Sequence, residues 1–335
     1  MADTPKMTYD EIEDLAFRAL VAAGTTAENA RDLARATAET EADGVASHGL
    51  AYIPIYAEHV QCGKVDGAAV PVLSRPKPGV VHVDAKSGFA HPAIAMGFAE
   101  LIPAAQAQGV AVLSIRNSYN CGVLGVHTRA LANAGLLAIG FTNAPASIAP
   151  SGGSRPVVGT NPFSVAAPDG AGGAAVLIDQ SASVIAKSEI MKHAREGKPI
   201  PEGWALDADG NPTTDPEVGL AGSMAPSGGY KGVGISLFVE MMAAAMSGAT
   251  LGKDASPFSG TKGGPPNTGQ FFIAIDPEAT SGGAFAGQLS ALIDAIRAQD
   301  GAHLPGDGRA AARARVAAGI PVNPAILDRI AAILA

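Results

Sequence analysis

His48 is the residue whose type and setting first suggest chemistry in this sequence. It stands between Ser47 and Gly49, in a stretch where few other side chains are charged. An imidazole titrates at about pH 6.5, so His48 can donate or accept a proton near neutral pH. A lone histidine in apolar surroundings is more often structural, and the alternative here is a turn in which Ser47 and His48 hold backbone groups.

Three glycine-rich segments could place backbone N–H groups near an anion, as turns or as helix starts. They are SYNCGVLGVH at 118–127, APSGGSRPVVGTNP at 149–162 and APSGGYKGVGIS at 225–236. Glycine also serves tight connections that bind nothing, so each segment alone is a weak signal. The two commonest phosphate motifs, GxGxxG after the first strand and GxxxxGK[ST], are absent from the sequence. The three segments together favour nucleotide binding modestly.

Composition excludes several classes of partner. The chain has 335 residues, of which 47% are hydrophobic and 16% charged, so it can bury a large core. A formal net charge of −8 disfavours nucleic acid and anionic membrane, because both require clustered Lys and Arg. We therefore expect a small-molecule substrate.

Cysteine usage and the N-terminus indicate the compartment. Cys62 and Cys121 are too few for a disulfide framework and lack the CxxC spacing of a zinc site, so no metal is expected. The first residues have neither the basic start nor the apolar core of a signal peptide, and no apolar run approaches the roughly 20 residues that span a bilayer. These features predict a cytoplasmic protein.

Periodicity predicts an α/β order behind two N-terminal helices. Thr8 with Glu11 forms a capping box, and Thr26 begins the second helix. Residues 79–117 predict a strand, a helix and a second strand. Residues 197–232 predict only turns and loops, because Gly and Pro are frequent there, and 234–247 predicts a buried helix that is apolar on all sides. Further elements are predicted from five segments: TRALANAGLLAIGFTNAP, AAVLIDQSAS, GQFFIAIDP and the two C-terminal helices LSALIDAIRAQ and PAILDRIAAILA.

Six segments follow one another along the chain: DGVASHG, NSYNCGVLGVHTRALANAGLLAIGFTNAPASIAPSGG, GTNPFSVAAP, IDQSAS, IPEGWALDADGNPTTDP and PSGGYKGVGISLFVE. In order and spacing they resemble the type 2 malate/L-lactate dehydrogenase-like family of nicotinamide-dependent oxidoreductases, over nearly the whole chain. Within it, NSYNCGVLG, NAPASIAP and GWALDADGNPTTDP are most similar to the Δ1-piperideine-2-carboxylate/Δ1-pyrroline-2-carboxylate reductase branch.

The resemblance implies a fold, a cofactor and an assembly. The implied fold is a mixed α/β protein whose largely antiparallel sheet, unrelated to Rossmann domains, binds the dinucleotide. We expect a helical lobe from residues 1–75 joined by 308–335, and a cofactor- and substrate-binding region at 76–307. The expected cofactor is NADP, with NAD as the alternative. Two subunits are implied to build the active sites together, so we expect a homodimer.

The resemblance also implies roles for individual residues. Ser47 and His48 match the family's relay and proton donor, and Glu189 falls where its relay acid, normally Asp, is found. Tyr52 and Thr160 match substrate-contacting positions. The other matched positions contact the cofactor: Asn120, Cys121, Gly122, Val123, Leu124, Asp179, Gln180, Ser181, Tyr230, Lys231, His303, Leu304, Pro305, Gly306, Asp307, Gly308 and Arg309. Among these, Lys231 and Arg309 carry the charge that a phosphate requires.

Three positions depart from the family pattern. Many relatives have an arginine at the position of Tyr52, to hold the substrate carboxylate, and a histidine at the position of Asn120. The expected relay acid is one methylene longer in Glu189. These departures leave the substrate open more than the hydride transfer.

Three functions are therefore considered. The first is an NAD(P)H-dependent reductase of cyclic ketimine carboxylates, in which His48 gives a proton to nitrogen while hydride reaches the C=N carbon. The second is a 2-hydroxy-acid dehydrogenase of the malate or lactate type. The third is a dinucleotide-binding protein that has lost catalysis.

Overall fold

A seven-stranded sheet forms the centre of the computed structural model, which describes residues 4–335. Smaller groups of two and three strands accompany it. The strands are β1 Lys6–Met7, β2 Val72–Lys77, β3 Val80–Asp84, β4 Val110–Ser118, β5 Leu137–Thr142, β6 Phe163–Pro168, β7 Ala174–Gln180, β8 Ala205–Leu206, β9 Pro212–Thr213, β10 Ser223–Met224, β11 Thr268–Ile275 and β12 Ile320–Pro321.

The helices lie before, between and after these strands. They are α1 Tyr9–Ala22, α2 Ala27–Ala42, α3 Ile53–Gln61, α4 Ala90–Gln108, α5 Leu124–Asn133, α6 Lys187–Glu196, α7 Pro216–Ala221, α8 Tyr230–Glu240, α9 Pro277–Ser281, α10 Phe285–Arg297, α11 Asp307–Arg313 and α12 Pro324–Leu334. Short 3₁₀ turns occupy Ala46–His48, Leu50–Tyr52 and Val316–Ala318, and a π-helical turn at Met241–Ala245 follows α8. Within residues 4–335, no helix combines the length and apolarity needed to cross a bilayer.

The large sheet has the strand order β2-β3-β4-β11-β5-β6-β7. Only β3 and β4 pair in parallel, joined by α4 as the pattern of residues 79–117 predicts, and the other neighbours are antiparallel. Helix α4 ends at Gly109, whose φ of +79° is readily adopted only by glycine. The predicted mixed, largely antiparallel sheet is confirmed.

Helices cover the two faces of the sheet unequally. Helices α4 and α5 pack against one face and bury a large apolar core, which includes Leu101, Leu113, Leu131 and Phe272. On the other face, α8 and the π-helical turn lie over a small cluster that contains Phe141. The loops that follow β4, β6 and β7 thus leave a sheet that is packed on both faces.

A helical lobe brings the two ends of the described chain together. The predicted capping box of α1 is present, with the Thr8 side chain accepting from the Glu11 N–H and the Glu11 carboxylate accepting from the Thr8 N–H. Helices α1, α2, α3 and α12 share one apolar cluster, and β1 pairs with β12. The exact division at residues 75, 76, 307 and 308 stays a prediction.

Two sequence expectations are wrong in detail. Residues 197–232 contain β8, β9, β10 and α7 as well as turns, because the two-residue strands and the six-residue helix are too short to produce a periodic signal. The apolar helix at 234–247 is buried on one side only, and Leu237 remains 52% exposed. The sheet covers its inner side, and no other element of residues 4–335 encloses its outer side.

Candidate active site

His48 lies at the end of a 3₁₀ turn, with one ring nitrogen engaged and the other free. Its Nδ1 is 3.0 Å from the Ser47 hydroxyl, and its ring stacks on Tyr52 with centroids 5.0 Å apart and planes inclined by 15°. Nε2 forms no hydrogen bond with any residue of 4–335. The imidazole is therefore oriented by Ser47 and Tyr52, and Nε2 is available to a ligand.

Glu41 holds the turn that follows His48, and sequence reasoning missed it. Its Oε1 accepts a hydrogen bond of 2.7 Å from the Leu50 N–H. Gly49 is required between them, because a Cβ at that position would lie 2.2 Å from Oε1. Glu41 is buried, and burial raises the pKa of its carboxyl group. A glutamate on the buried side of α2 was the available signal, since buried carboxyl groups usually have a specific partner.

Two charged groups shift the pKa of His48 with opposite sign. Burial is the largest effect and lowers the pKa of His48, the Asp179 carboxylate raises it, and the Arg309 guanidinium lowers it. The Asp179 side chain reaches the start of α5, where its Oδ2 accepts a hydrogen bond of 3.0 Å from the Gly125 N–H. The predicted proton donor and the predicted cofactor residue Asp179 thus belong to one electrostatic site.

The predicted cofactor segment Asn120–Leu124 is a tight turn that leads into α5. The Asn120 Oδ1 accepts from the Gly122 N–H at 2.6 Å, and Gly122 has a φ of +67°. Cys121 is buried, which raises the pKa of its thiol to about 12, so it stays protonated at neutral pH. Val123 precedes the first turn of α5, whose N–H groups and helix dipole favour a negatively charged ligand.

Thr160 sits in a segment that is held on several sides. Buried Asn161, the next residue, donates to the Glu240 Oε2 at 2.7 Å and to the Ser236 carbonyl at 2.9 Å. The Thr160 carbonyl accepts from the Ala182 N–H at 2.8 Å. The Thr160 side chain forms no hydrogen bond with residues 4–335, so its hydroxyl is free for a ligand. Glu240 and Ser236, both on α8, were missed because they lie more than seventy positions from their partners.

The remaining predicted cofactor residues line loops beside β7 and the start of α8. Ser181 follows β7, and its hydroxyl oxygen lies 3.0 Å from the hydroxyl oxygen of Ser183. Tyr230 and Lys231 begin α8 after two glycines with positive φ, and Lys231 forms no ion pair with residues 4–335. The loop 303–306, which leads into α11, is anchored by a 3.1 Å bond from the Leu177 N–H to the Pro305 carbonyl.

Arg309 and Glu189 have partners that their predicted roles did not anticipate. The Arg309 guanidinium faces inward, with Nη2 2.7 Å from the Asp179 Oδ2. The Glu189 carboxylate lies 3.9 Å from the Lys192 ammonium group, and it has no hydrogen bond to Ser47 or His48 within the described chain. Both predicted roles, phosphate ligand and relay acid, stay predictions.

The site offers donors that fit a dinucleotide. The start of α8 presents backbone N–H groups, and two glycines before it leave room for close approach. Lys231 supplies a cation that forms no ion pair within residues 4–335. At the start of α5, the Gly125 N–H is already bonded to the Asp179 carboxylate. Residues 4–335 contain no group of three or more His, Cys, Asp or Glu side chains arranged to hold a metal ion. The donors present could bind the phosphates of a nucleotide.

Comparison with known proteins gives a consistent result. The model of the family described as malate/L-lactate dehydrogenase matches residues 7–331. A (2R)-3-sulfolactate dehydrogenase (NADP(+)) from Chromohalobacter salexigens is 40% identical over 96% of each chain. A Δ1-pyrroline-2-carboxylate reductase from Ancylobacter novellus is 38% identical over 99% of this chain and 98% of that protein.

Solved structures extend this similarity to the fold. The crystal structure of Δ1-piperideine-2-carboxylate reductase from Pseudomonas syringae pv. tomato matches with a TM-score of 0.92 and 36% identity, over 98% of this chain and all of that one. The fold similarity and the sequence similarity both extend over almost the full length of the chain. The chain belongs to the malate/L-lactate dehydrogenase family and is a pyridine-nucleotide-dependent oxidoreductase.

Proposed function

We propose that this protein reduces cyclic ketimine carboxylates, Δ1-pyrroline-2-carboxylate or Δ1-piperideine-2-carboxylate, to the corresponding cyclic amino acids. The arrangement of His48 carries the proposal: Nδ1 meets Ser47, Tyr52 backs the ring, and Nε2 is free. Relatives named for these substrates, 34–38% identical to this chain, support the substrate class.

His48 supplies the proton in this proposal. A bound reduced nicotinamide would supply hydride to the carbon of the C=N bond, and the electron pair of that bond moves to nitrogen. Protonated His48 gives its Nε2 proton to that nitrogen and becomes neutral, while Ser47 keeps the ring oriented through Nδ1. The donor must be protonated, so the reduction is expected to slow as pH rises through the His48 titration. Burial lowers the pKa of His48 and so moves this loss to lower pH.

Tyr52 and Thr160 would hold the substrate. Tyr52 occupies the position at which many relatives are expected to carry an arginine, and its ring packs on His48. Its hydroxyl can donate one hydrogen bond to a carboxylate, whereas an arginine offers a bidentate ion pair. A compact cyclic carboxylate can be oriented by this single bond together with the free Thr160 hydroxyl.

A 2-hydroxy-acid dehydrogenase is the second candidate. The 40% identity with a sulfolactate dehydrogenase favours it, since the same hydride and proton transfers reduce a 2-oxo acid. Loss of catalysis, with dinucleotide binding retained, is the third candidate. The Asn120 side chain supports it, because that position lacks the family's expected histidine and its Oδ1 is used in a turn.

NADP is our proposed cofactor, and a homodimer is our proposed assembly. Lys231 supports a 2′-phosphate, and the sulfolactate relative is named for NADP(+).

The outer side of α8 and its π-helical turn supports a subunit contact, since Phe238, Met241 and Met246 are 44%, 49% and 64% exposed. Light scattering at micromolar concentration tests the dimer, and a monomeric mass with full activity contradicts it.

The free thiols Cys62 and Cys121 support the cytoplasm as the compartment.

A substrate panel tests the proposed function. NADPH and NADH oxidation is followed with Δ1-pyrroline-2-carboxylate, Δ1-piperideine-2-carboxylate, pyruvate, oxaloacetate and the 2-oxo acid of 3-sulfolactate. We expect the highest kcat/KM with a cyclic ketimine and NADPH. Preference for a 2-oxo acid supports the second candidate, and tight dinucleotide binding without turnover of any compound supports the third.

A further inference from the structure

A long loop without regular structure connects the π-helical turn to β11. It comprises residues 251–266, is rich in glycine and proline, and we call it the strap. The strap is longer than the roughly 12–15 residues that structureless loops rarely exceed, and loops of this length usually have a function. Its ends are held together, because the Thr250 N–H donates to the Asn267 carbonyl at 2.9 Å. Contacts along its length must therefore fix its position.

The strap begins beside the segment that carries Thr160. The Gly252 N–H donates to the Glu240 Oε1 at 2.6 Å, and the Oε2 of the same carboxylate accepts from Asn161, the neighbour of Thr160. The Gly252 carbonyl accepts from the Ala146 N–H at 2.9 Å. One carboxylate thus holds both the start of the strap and the proposed substrate-binding segment.

Lys64, which lies just beyond α3, fixes the middle of the strap. Its side chain is fully buried, and its Nζ donates to the carbonyls of Pro257, Gly260 and Lys262 at 2.6, 3.0 and 2.9 Å. An ammonium group has three N–H donors, so each donor has one acceptor. Lys64 forms no ion pair with residues 4–335, and burying a charge without an opposite charge is costly. An apolar side chain would fill the space at lower cost, so the ammonium group serves to hold the strap.

His59 joins the strap to α3 itself. Its Nε2 lies 3.1 Å from the Gly260 carbonyl, which can only accept, so Nε2 donates. In the neutral ring Nδ1 then accepts from the Tyr119 hydroxyl. Lys64 and His59 together attach the strap to the helix that begins directly after Tyr52.

A row of aromatic rings connects the strap to His48. The Phe258 ring of the strap packs on Tyr119, with centroids 5.6 Å apart. Tyr119 packs on Tyr56 at 6.0 Å, and Tyr56 packs on Tyr52 at 5.5 Å. Tyr52 in turn stacks on His48 at 5.0 Å. A displacement of the strap therefore reaches the ring that backs the proposed proton donor.

We propose that Lys64 is a positioning residue for the substrate: its ammonium group pins the strap to α3, and the pinned strap sets the place of Tyr52 relative to Thr160. This inference rests on the proposed substrate contacts of Tyr52 and Thr160. Both residues would hold the compact cyclic carboxylate, so their spacing governs substrate binding more than the reaction itself. The predicted cofactor contacts lie neither on the strap nor on α3.

Lys64→Met tests the pin, and Lys262→Met is its matched control. Both variants lose an ammonium group, but the Lys262 side chain is exposed, and its carbonyl still accepts from Lys64. In Lys64→Met three carbonyls lose the ammonium donor and the strap is released. KM of the best compound in the substrate panel should rise about tenfold or more, while kcat falls less and the Kd of NADPH stays within about threefold. Equal effects of the two variants, or a fall in kcat that exceeds the rise in KM, overturn the proposal.

Chemical rescue separates the charge of Lys64 from its volume. Lys64→Ala removes the atoms from Cγ to Nζ, which n-propylammonium matches in length and in its three donors. Added n-propylammonium should lower KM toward the wild-type value, whereas 1-propanol, similar in shape but uncharged, should not. Equal restoration by both compounds would show that Lys64 only fills space and would overturn the proposal.

NMR on ¹³C-histidine-labelled protein gives a readout without substrate. The Hε1 signal of His48, assigned with His48→Asn, depends on the ring stacked on it, and Tyr52→Leu gives its position without that ring. Lys64→Met should move the signal toward the Tyr52→Leu position, and Lys262→Met should not. A shift without turnover of any panel compound would contradict the proposed function alone. An unchanged signal in Lys64→Met overturns this inference.

Phe258→Leu serves if Lys64→Met does not fold. It removes only the ring contact between the strap and Tyr119, and it leaves the Lys64 hydrogen bonds in place. The His48 signal should again move toward its position in Tyr52→Leu. An unchanged signal in Phe258→Leu overturns the proposal.

Discussion

The segment that carries His48 and the segment that carries Thr160 are held in different ways. Around Thr160, buried donors and acceptors from α8 and the neighbouring loops fix the backbone on several sides. Around His48, the bond from the Leu50 N–H to Glu41 and local backbone bonds hold the turn. Within residues 4–335 the ring hydrogen-bonds only to Ser47 and stacks on Tyr52. Thr160, which is proposed only to orient the substrate, lies in a segment that is held on several sides. His48, which is proposed to donate a proton, keeps one ring nitrogen free for it.

Removing the imidazole should have the largest effect. His48→Ala is expected to lower the reduction rate by about 10²–10⁴-fold, because a general acid is lost. The Kd of the dinucleotide, measured by fluorescence titration, should be nearly unchanged, since His48 supplies a proton and no cofactor contact. Activity within about threefold of the wild type would restore the structural interpretation of His48.

Breaking the support of Thr160 should affect both stability and substrate binding. In Glu240→Gln an NH₂ group must face either Asn161 or Gly252, both of which donate to the carboxylate at 2.7 and 2.6 Å. One buried donor is left unsatisfied, so the free energy of unfolding should fall by about 1–3 kcal/mol. KM for the substrate should rise more than kcat falls.

Ser236→Ala is the matched control for this segment. It removes one hydrogen bond of 2.8 Å to the Gly159 carbonyl without creating a donor–donor contact. Chemical denaturation should therefore show a loss of about 1 kcal/mol. Equal losses in Ser236→Ala and Glu240→Gln would contradict the special importance of the Glu240 carboxylate.

The turn around His48 should tolerate one change at Glu41 and not the other. Glu41→Gln keeps an oxygen for the Leu50 N–H, so activity should stay within about threefold of the wild type. Glu41→Ala removes the acceptor and frees the turn, so kcat should fall about tenfold. Similar kcat values for the two variants would mean that Glu41 does not position His48.

The predicted relay acid should give the smallest effect. Glu189→Gln is expected to lower turnover less than His48→Ala does, because the ring remains, and its exposed pairing with Lys192 adds little to stability. The pH profile of kcat between about pH 6 and 9 is the measurement. A profile identical to that of the wild type would show that the relay acid has been misplaced.

Local signals in the sequence predicted much of the fold. The Thr8 capping box, the helix end at Gly109 and the strand–helix–strand order of 79–117 each depend on neighbouring residues, and the structure has all of them. The wrong expectation at 234–247 has a physical reason. An apolar surface indicates burial of some kind, but not whether this chain or another molecule provides it.

Contacts between distant residues account for what could not be predicted. The Asp179–Arg309 pair joins positions 130 apart, and Asn161–Glu240 joins positions 79 apart. No periodicity or motif connects such pairs, because they depend on how strands and helices pack. His48 could be proposed from its type and motif, whereas its electrostatic environment required the fold.

The pH dependence of ketimine reduction tests the central claim most directly. The account predicts that kcat/KM with NADPH falls as pH rises through the His48 titration, since the donor must be protonated and burial lowers the pKa of His48. His48→Ala serves as the background, because any titration of the substrate itself persists there. A transition present in the wild type, absent from His48→Ala and matching the His48 midpoint by NMR is the predicted result. The same profile in both proteins would contradict the claim that His48 is the proton donor.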